Sequence, residues 1–161
     1  MKSSKGKEIV VLLHNIRSTH NVGSMFRTSE CAGVTKIYLS GYTPTPVDKY
    51  GRGRKDIAKV ALGAEKTIPW EYVKSPEKII KELKNKKYQI VGIEQSKDSV
   101  DYKKVKVHYS VLFIVGNEVE GMDKKMLSLC DVVAEISMLG EKESLNVSVA
   151  FGVALFRVLG I

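Results

Sequence analysis

Short unbroken apolar runs recur along the chain, separated by stretches whose apolar residues follow helical spacing. The first run, Glu8 to Leu13 (EIVVLL), is too continuous for a strand with one wet face and predicts a strand buried on both. The period then changes. From Asn21 to Ala32, Val22, Met25, Phe26 and Ser29 fall on one side of a helix, and Gly33 suits its end. Thr35 to Ser40 predicts a second strand, Asp56 to Leu62 a short helix, and Ile68 to Val73 a short extended segment. Ser75-Pro76-Glu77 is a good helix start, with Ser as N-cap and Pro at the first helical position. Ile79, Ile80 and Leu83 form that helix's core stripe, and Lys84 to Lys87 gather at its C-terminus, where positive charge is favoured. Tyr88 to Glu94, Ser110 to Val115 and Asp131 to Ile136 predict further strands, with a polar connection over Gln95 to Lys106 and a short helix over Asp123 to Leu129. The last segment, Val147 to Leu159, carries only Ser148 and Arg157 as markedly polar residues. It predicts a helix with no solvent face, fully buried, for which Ser144 is the candidate N-cap.

Strands alternating with helices predict an α/β fold, a parallel sheet wound on both faces. One domain over residues 8–161 is expected, preceded by a mobile basic tail over residues 1–7. In such sheets ligands bind beyond the C-terminal strand ends. The loops after Leu13, Val115 and Ile136 occupy that position and hold the most unusual polar clusters of the chain. The stretch Gly41 to Asp56 (GYTPTPVDKYGRGRKD) is the least ordered-looking part. Its glycines, its basic residues Arg52, Arg54 and Lys55, and Tyr42 and Tyr50 suit phosphate contact and base stacking, although a solvated loop fits as well.

Composition adds a partner class. Hydrophobic residues make up 43% of the 161 positions, which excludes a disordered chain. The net charge of +8 is uneven: residues 1–60 carry eleven Lys/Arg against four Asp/Glu, and the remainder fifteen against fourteen. A basic surface in the first third implies a polyanion as partner. The final helix is too short for a membrane span. The N-terminal apolar run, about five residues, falls below the ~7–15 that a secretion signal needs. Cys31 and Cys130 are expected to be reduced, buried thiols of a cytoplasmic protein. With His14, His20 and His108 they show no metal-ligand spacing, so no metal is expected.

Three clusters carry the candidate chemistry. In Asn15 to Arg27 (NIRSTHNVGSMFR), Asn21 can orient a hydroxyl and Arg27 offers a planar set of donors for phosphate, with Arg17 as a further basic contact. Taken singly, Asn21 as a helix cap and Arg27 as a surface ion-pair partner are the better explanation. In Val115 to Gly121 (VGNEVEG), Gly116 lets the backbone approach a ligand directly after a buried strand. There is neither a GxGxxG fingerprint nor a Walker lysine, and Glu118 argues against a phosphate-bearing ligand while permitting a cationic one. The third cluster is Ile136 to Asn146, where Ser144 and Asn146 meet the final helix.

In this order and at these separations, NVGSMFRT (Asn21 to Thr28), FIVGNEVEGM (Phe113 to Met122) and EISMLGEKESLNVSVA (Glu135 to Ala150) resemble the SpoU-type ribose 2′-O-methyltransferases of the SPOUT class. The resemblance spans almost the whole chain. Ser137 departs from it, since the family usually has proline there, a change in backbone stiffness. It implies an α/β fold whose C-terminal part is threaded as a deep trefoil knot, S-adenosylmethionine as methyl donor, and a homodimer. It implies a cofactor pocket from Ile93, Val115, Gly116, Ile136, Met138, Leu139, Ser144 and Leu145. Asn21 and Arg27 correspond to the family's catalytic pair, with Glu118, Ser144 and Asn146 in support. The implied substrate is structured RNA, tRNA before rRNA, gripped by Arg17, Arg52, Arg54, Lys55 and the N-terminal lysines. A non-catalytic RNA-binding protein of the same fold is the alternative, and base methylation is disfavoured by the Asn/Arg pair.

Overall fold

The computed structural model describes residues 6–161. Lys2 and Lys5 of the expected tail lie outside them, whereas the Lys7 ammonium donates to the Val107 carbonyl at 3.0 Å. Seven parallel strands form one sheet, with β1 over Ile9–His14, β2 over Lys36–Ser40, β3 over Trp70–Val73, β4 over Gln89–Ile93, β5 over Val100–Asp101, β6 over Val111–Val115 and β7 over Val132–Glu135. Their order across the sheet is β3-β2-β1-β6-β4-β7-β5. The helices are α1 (Thr19–Cys31), α2 (Lys55–Ala61), α3 (Ala64–Thr67), α4 (Pro76–Asn85), α5 (Lys124–Leu129) and α6 (Val147–Leu159).

The unbroken apolar runs are explained by two cores. On one face Val11, Leu13, Ile37, Val91 and Phe113 pack against α1, α2 and α6, and on the other Val10, Leu12, Ile90 and Leu112 pack against α4 and α5. Alternate residues of the central strands β1, β6 and β4 feed opposite cores, so the middle of each run is apolar on both faces. The closest helix contact is α1 on α2. A Cβ at Gly23 would lie 2.8 Å from the Ile57 carbonyl oxygen and 2.9 Å from Val60 Cβ. Gly23→Ala is therefore expected to part the two helices and cost about 1–3 kcal/mol, read as a lower urea midpoint.

Several expectations need correction. Helix α1 starts at Thr19, and its N-cap is Ser18, whose hydroxyl accepts from the Asn21 N–H at 3.1 Å. The cap of α6 is Asn146 and not Ser144, because the Asn146 side-chain oxygen Oδ1 accepts from the N–H groups of Ser148 and Val149. Nor is α6 fully buried: Phe151, Ala154, Leu155 and Val158 face the core, while Val149 and Val153 are 50% and 41% exposed. One sheet face can cover only one stripe of a helix, and in a single chain the other apolar stripe faces solvent. The stretch Gln95 to Lys106 contains β5 and a 3₁₀ turn over Tyr102–Lys104. Cys31 is exposed on the outer side of α1.

The segment Gly41 to Asp56 is also well organised. The Asp48 carboxylate accepts the N–H groups of Tyr50 at 2.8 Å and Arg52 at 3.0 Å, and Val47 bridges Gly53 in antiparallel fashion. Its polar residues make its structure from within, which is why no apolar periodicity announced it.

Candidate active site

A cavity of about 280 Å³ opens beyond the C-terminal ends of three adjacent strands, β6, β4 and β7. Ile93, Val115 and Ala134 form its floor, the turn from Gly116 to Gly121 one wall, and Ile136, Met138, Ser144, Leu145 and Val147 the other. Gly116 is required by close approach, since a Cβ there would lie 2.7 Å from the Gly121 carbonyl carbon. Gly121 itself is left-handed (φ +68°). The turn between them is held by Asn117, whose side-chain oxygen Oδ1 accepts from Val119 N–H at 2.9 Å and Glu120 N–H at 2.8 Å.

Glu118 projects from this turn towards α1. Its carboxylate accepts the backbone N–H of Arg17 and of Ser18, both at 3.0 Å, and the Asn21 amide at 3.2 Å. Partial burial works against its ionisation, but the Arg17, Ser18 and Asn21 donors outweigh it and hold the carboxyl below the usual range. A carboxylate only accepts, so the Asn21 amide nitrogen must face it and the Asn21 oxygen must point away. That oxygen receives the Asn146 amide at 3.3 Å, and Asn146 in turn caps α6. Glu118, Asn21 and Asn146 thus form one hydrogen-bonded line joining the β6 turn, α1 and α6.

Most of the anticipated pocket residues are assembled here: Ile93, Val115, Gly116, Ile136, Met138, Ser144 and Leu145 all line the cavity, and Glu118 does as well. Leu139 does not, being 98% exposed. Arg27 is also elsewhere. It lies six residues beyond Asn21, which at 3.6 residues per turn turns it roughly 120° away around α1. There it lines a separate shallow recess with Ser24, Thr28, Cys31, Val60 and Phe156. Arg17 enters the site through its backbone, with an exposed side chain. Arg52 and Arg54 are ion-paired to Asp48 at 2.9 Å and Asp56 at 3.0 Å, and Lys55 is exposed at the start of α2.

The sequence reasoning missed Glu94, Gln95, Asn117 and Glu143, all of which line the cavity. Glu94 follows directly on a buried strand, and an acid at a strand's C-terminal end was the available signal. Its carboxylate accepts the Met122 N–H at 2.9 Å and the Gln95 N–H at 2.9 Å. Three carboxylates and no lysine or arginine therefore border the cavity among the described residues. Such a site suits a ligand with apolar parts and positive charge, and repels phosphate.

The model of the SpoU rRNA methylase family matches residues 8–156. The chain belongs to that family. Family relatives include the tRNA (guanosine(18)-2′-O)-methyltransferase of Aquifex aeolicus, 32% identical over 94% of this chain and 68% of the relative. The 23S rRNA (guanosine-2′-O-)-methyltransferase RlmB of Pseudomonas aeruginosa is 30% identical over 99% of this chain and 61% of its own length. Among solved structures, an AdoMet-bound rRNA methyltransferase from Sinorhizobium meliloti superposes with a TM-score of 0.85 at 26% identity, covering 96% of this chain and 56% of that one. The family members thus share the α/β architecture across nearly all of this chain, which spans about two thirds of the length of these curated relatives.

Proposed function

We propose that this chain transfers a methyl group from S-adenosylmethionine to a ribose 2′-hydroxyl of structured RNA, tRNA before rRNA. The observation that carries the proposal is the acid-lined, cation-free cavity at the strand ends, tied through Glu118 to Asn21 and Asn146. The cofactor fits the residues present. Ile93, Val115, Ile136, Met138 and Leu145 offer apolar surface for an adenosine, the glycine-lined turn admits close backbone approach, and the carboxylates favour a sulfonium and an amino group. When bound, the cofactor would supply an electrophilic methyl: its sulfur–methyl bond would break to leave a neutral thioether, the ribose oxygen would gain the methyl carbon, and the hydroxyl proton would pass to solvent water.

The protein's part is positioning. Ionised Glu118 fixes the Asn21 amide and the N-terminal end of α1, and Asn146 fixes the other side of that amide. Two subunits would complete the site. The apolar stripe of α6 around Val149 and Val153 has the character of a subunit interface, and Arg27 sits beside it on α1 next to Phe156. A second copy packed there would bring its Arg27 to the first copy's cavity, where the guanidinium clamps an RNA phosphate and orients the hydroxyl. As a guanidinium is very hard to deprotonate, Arg27 is assigned no proton-accepting role. Val153→Lys is expected to move the solution mass at micromolar concentration from dimer to monomer by light scattering. An unchanged mass would remove α6 from the interface.

The proposal includes the threaded C-terminal knot of the family. The insertion of β4 between β6 and β7, with residues 136–147 returning across the same strand ends, supports it. It also includes action in the cytoplasm, which the two unpaired cysteines support. The deciding experiment is mass spectrometry of nuclease-digested RNA from cells with and without the gene. Loss of one 2′-O-methylated nucleoside identifies the target, and an unchanged profile defeats the proposal.

A further inference from the structure

Tyr42 stands apart from the chain's other exposed aromatics in how it is held. Its side chain is 55% exposed, yet it is pinned at both ends by polar groups from two other loops. Its backbone N–H donates to the Asn15 side-chain oxygen at 3.2 Å, and its phenol oxygen accepts from the Asn117 amide at 2.8 Å. Asn117 lines the cavity and also donates to the Asn15 carbonyl at 3.0 Å. The residue before Tyr42 is equally constrained. Gly41 is left-handed at φ +64°, and a Cβ there would fall 1.8 Å from the Asn15 side-chain oxygen. Asn15 is itself left-handed at φ +56°. The Tyr72 hydroxyl donates to the Gly41 carbonyl at 2.8 Å and closes the set.

Two left-handed residues and four hydrogen bonds therefore fix one ring, one hydrogen bond away from the cavity wall. A tyrosine needed only for the fold would bury its ring, whereas here the polar edge is tied down and ring surface is left bare. Rigid, half-exposed aromatics of this kind lose little entropy when a flat partner stacks on them. The surrounding charge says which partner. Tyr42 begins the loop carrying Lys49, Arg52, Arg54 and Lys55, of which Lys49 and Arg52 stand 5.0 Å from the centroid of the Tyr50 ring, and a basic loop running on from a bare ring favours a nucleobase on a phosphate chain. We propose that Tyr42 is the platform on which an unpaired nucleobase of the RNA stacks, seating the nucleotide chain beside the cavity. The assignment rests on the RNA reading given above and adds a specific base-binding residue to it.

The test is fluorescence polarisation with a labelled single-stranded oligouridylate of twelve nucleotides, using wild type, Tyr42→Phe, Tyr42→Ala and Tyr50→Ala. S-adenosylmethionine affinity is measured by calorimetry on the same preparations. Tyr42→Phe loses the Asn117 hydrogen bond and keeps the ring, so it should bind the oligonucleotide within about threefold of wild type. Tyr42→Ala should bind roughly 5- to 150-fold more weakly, the range expected for one lost stack, with cofactor affinity unchanged. Tyr42 as a platform is overturned if Tyr42→Ala binds like wild type or wild type does not bind. It is also overturned if Tyr42→Phe is as weak as Tyr42→Ala, or if the loss follows Tyr50→Ala alone. A fall in cofactor affinity in both Tyr42 variants would make the residue a prop for Asn117 and overturn it too. Failure of wild type to bind cofactor would instead strike the methyltransferase reading, whatever the oligonucleotide result.

Discussion

Glu118→Ala is expected to lower methyl transfer by about two orders of magnitude, because the Asn21 amide loses the acceptor that sets its direction and misplacement of about 1 Å is that costly. Three donors, Arg17 N–H, Ser18 N–H and the Asn21 amide, lose their charged acceptor together. Water can reach the Arg17 and Ser18 groups, so the stability cost should be modest, about 1–2 kcal/mol. Its pH dependence follows from the depressed pKa. The folded carboxyl ionises below its unfolded range, so its contribution is full above that range and is lost as pH falls through the folded value. Wild type and Glu118→Ala should therefore differ in urea midpoint at neutral pH and converge in acid. Equal midpoints at neutral pH, or a gap that widens in acid, would show that Glu118 does not hold the loop.

The second large effect is at Arg27. Arg27→Lys keeps the charge and removes the planar fork, and a turnover loss of about 100-fold is expected, since a lysine cannot grip a phosphate in two places. Cofactor affinity should not change, because in the proposed dimer the Arg27 guanidinium grips an RNA phosphate and not the cofactor. Near-full turnover in Arg27→Lys would remove the geometric role. Sharing of the site between subunits makes a further outcome available. An equal mixture of Arg27→Ala and Glu118→Ala subunits, refolded together, should regain about one quarter of wild-type activity, since half the dimers are mixed and each holds one intact site. No recovery would place Arg27 and Glu118 of one chain in the same site.

The two variants probe different parts of the protein, Glu118 within the hydrogen-bonded line and Arg27 in the recess outside it. Glu118 acts within the chain through Asn21 and Asn146, whose partners are all present in one subunit. Arg27 has no such partner within the cavity, so its effect depends on what covers the recess beside Phe156.

The sequence by itself determined every strand but β5, the burial of the central strands on both faces, and the three loops that meet at the strand ends. These are local properties: an apolar run such as VLFIV needs two covered faces wherever it lies, and glycine at 116 signals close approach before any partner is known. The family resemblance supplied Ile93, Val115, Gly116, Ile136, Met138, Ser144 and Leu145 of the cavity lining, and the first three stand at strand ends or directly after them, where the strand itself fixes their place. Only the tertiary structure decided the rest. Ser144 read as the cap of the final helix, yet Asn146 holds that role, its side-chain oxygen on the helix N–H groups and its amide on Asn21. The final helix looked uniformly buried, yet the sheet covers one stripe and leaves Val149 and Val153 bare. Tyr42 carried no sequence mark that separated it from Tyr50, since its fixed position comes from Asn15 and Asn117, 27 and 75 residues away. Arg27 and Asn21 share one short motif, but the helix turns them to different sides and the fold gives each a different neighbour.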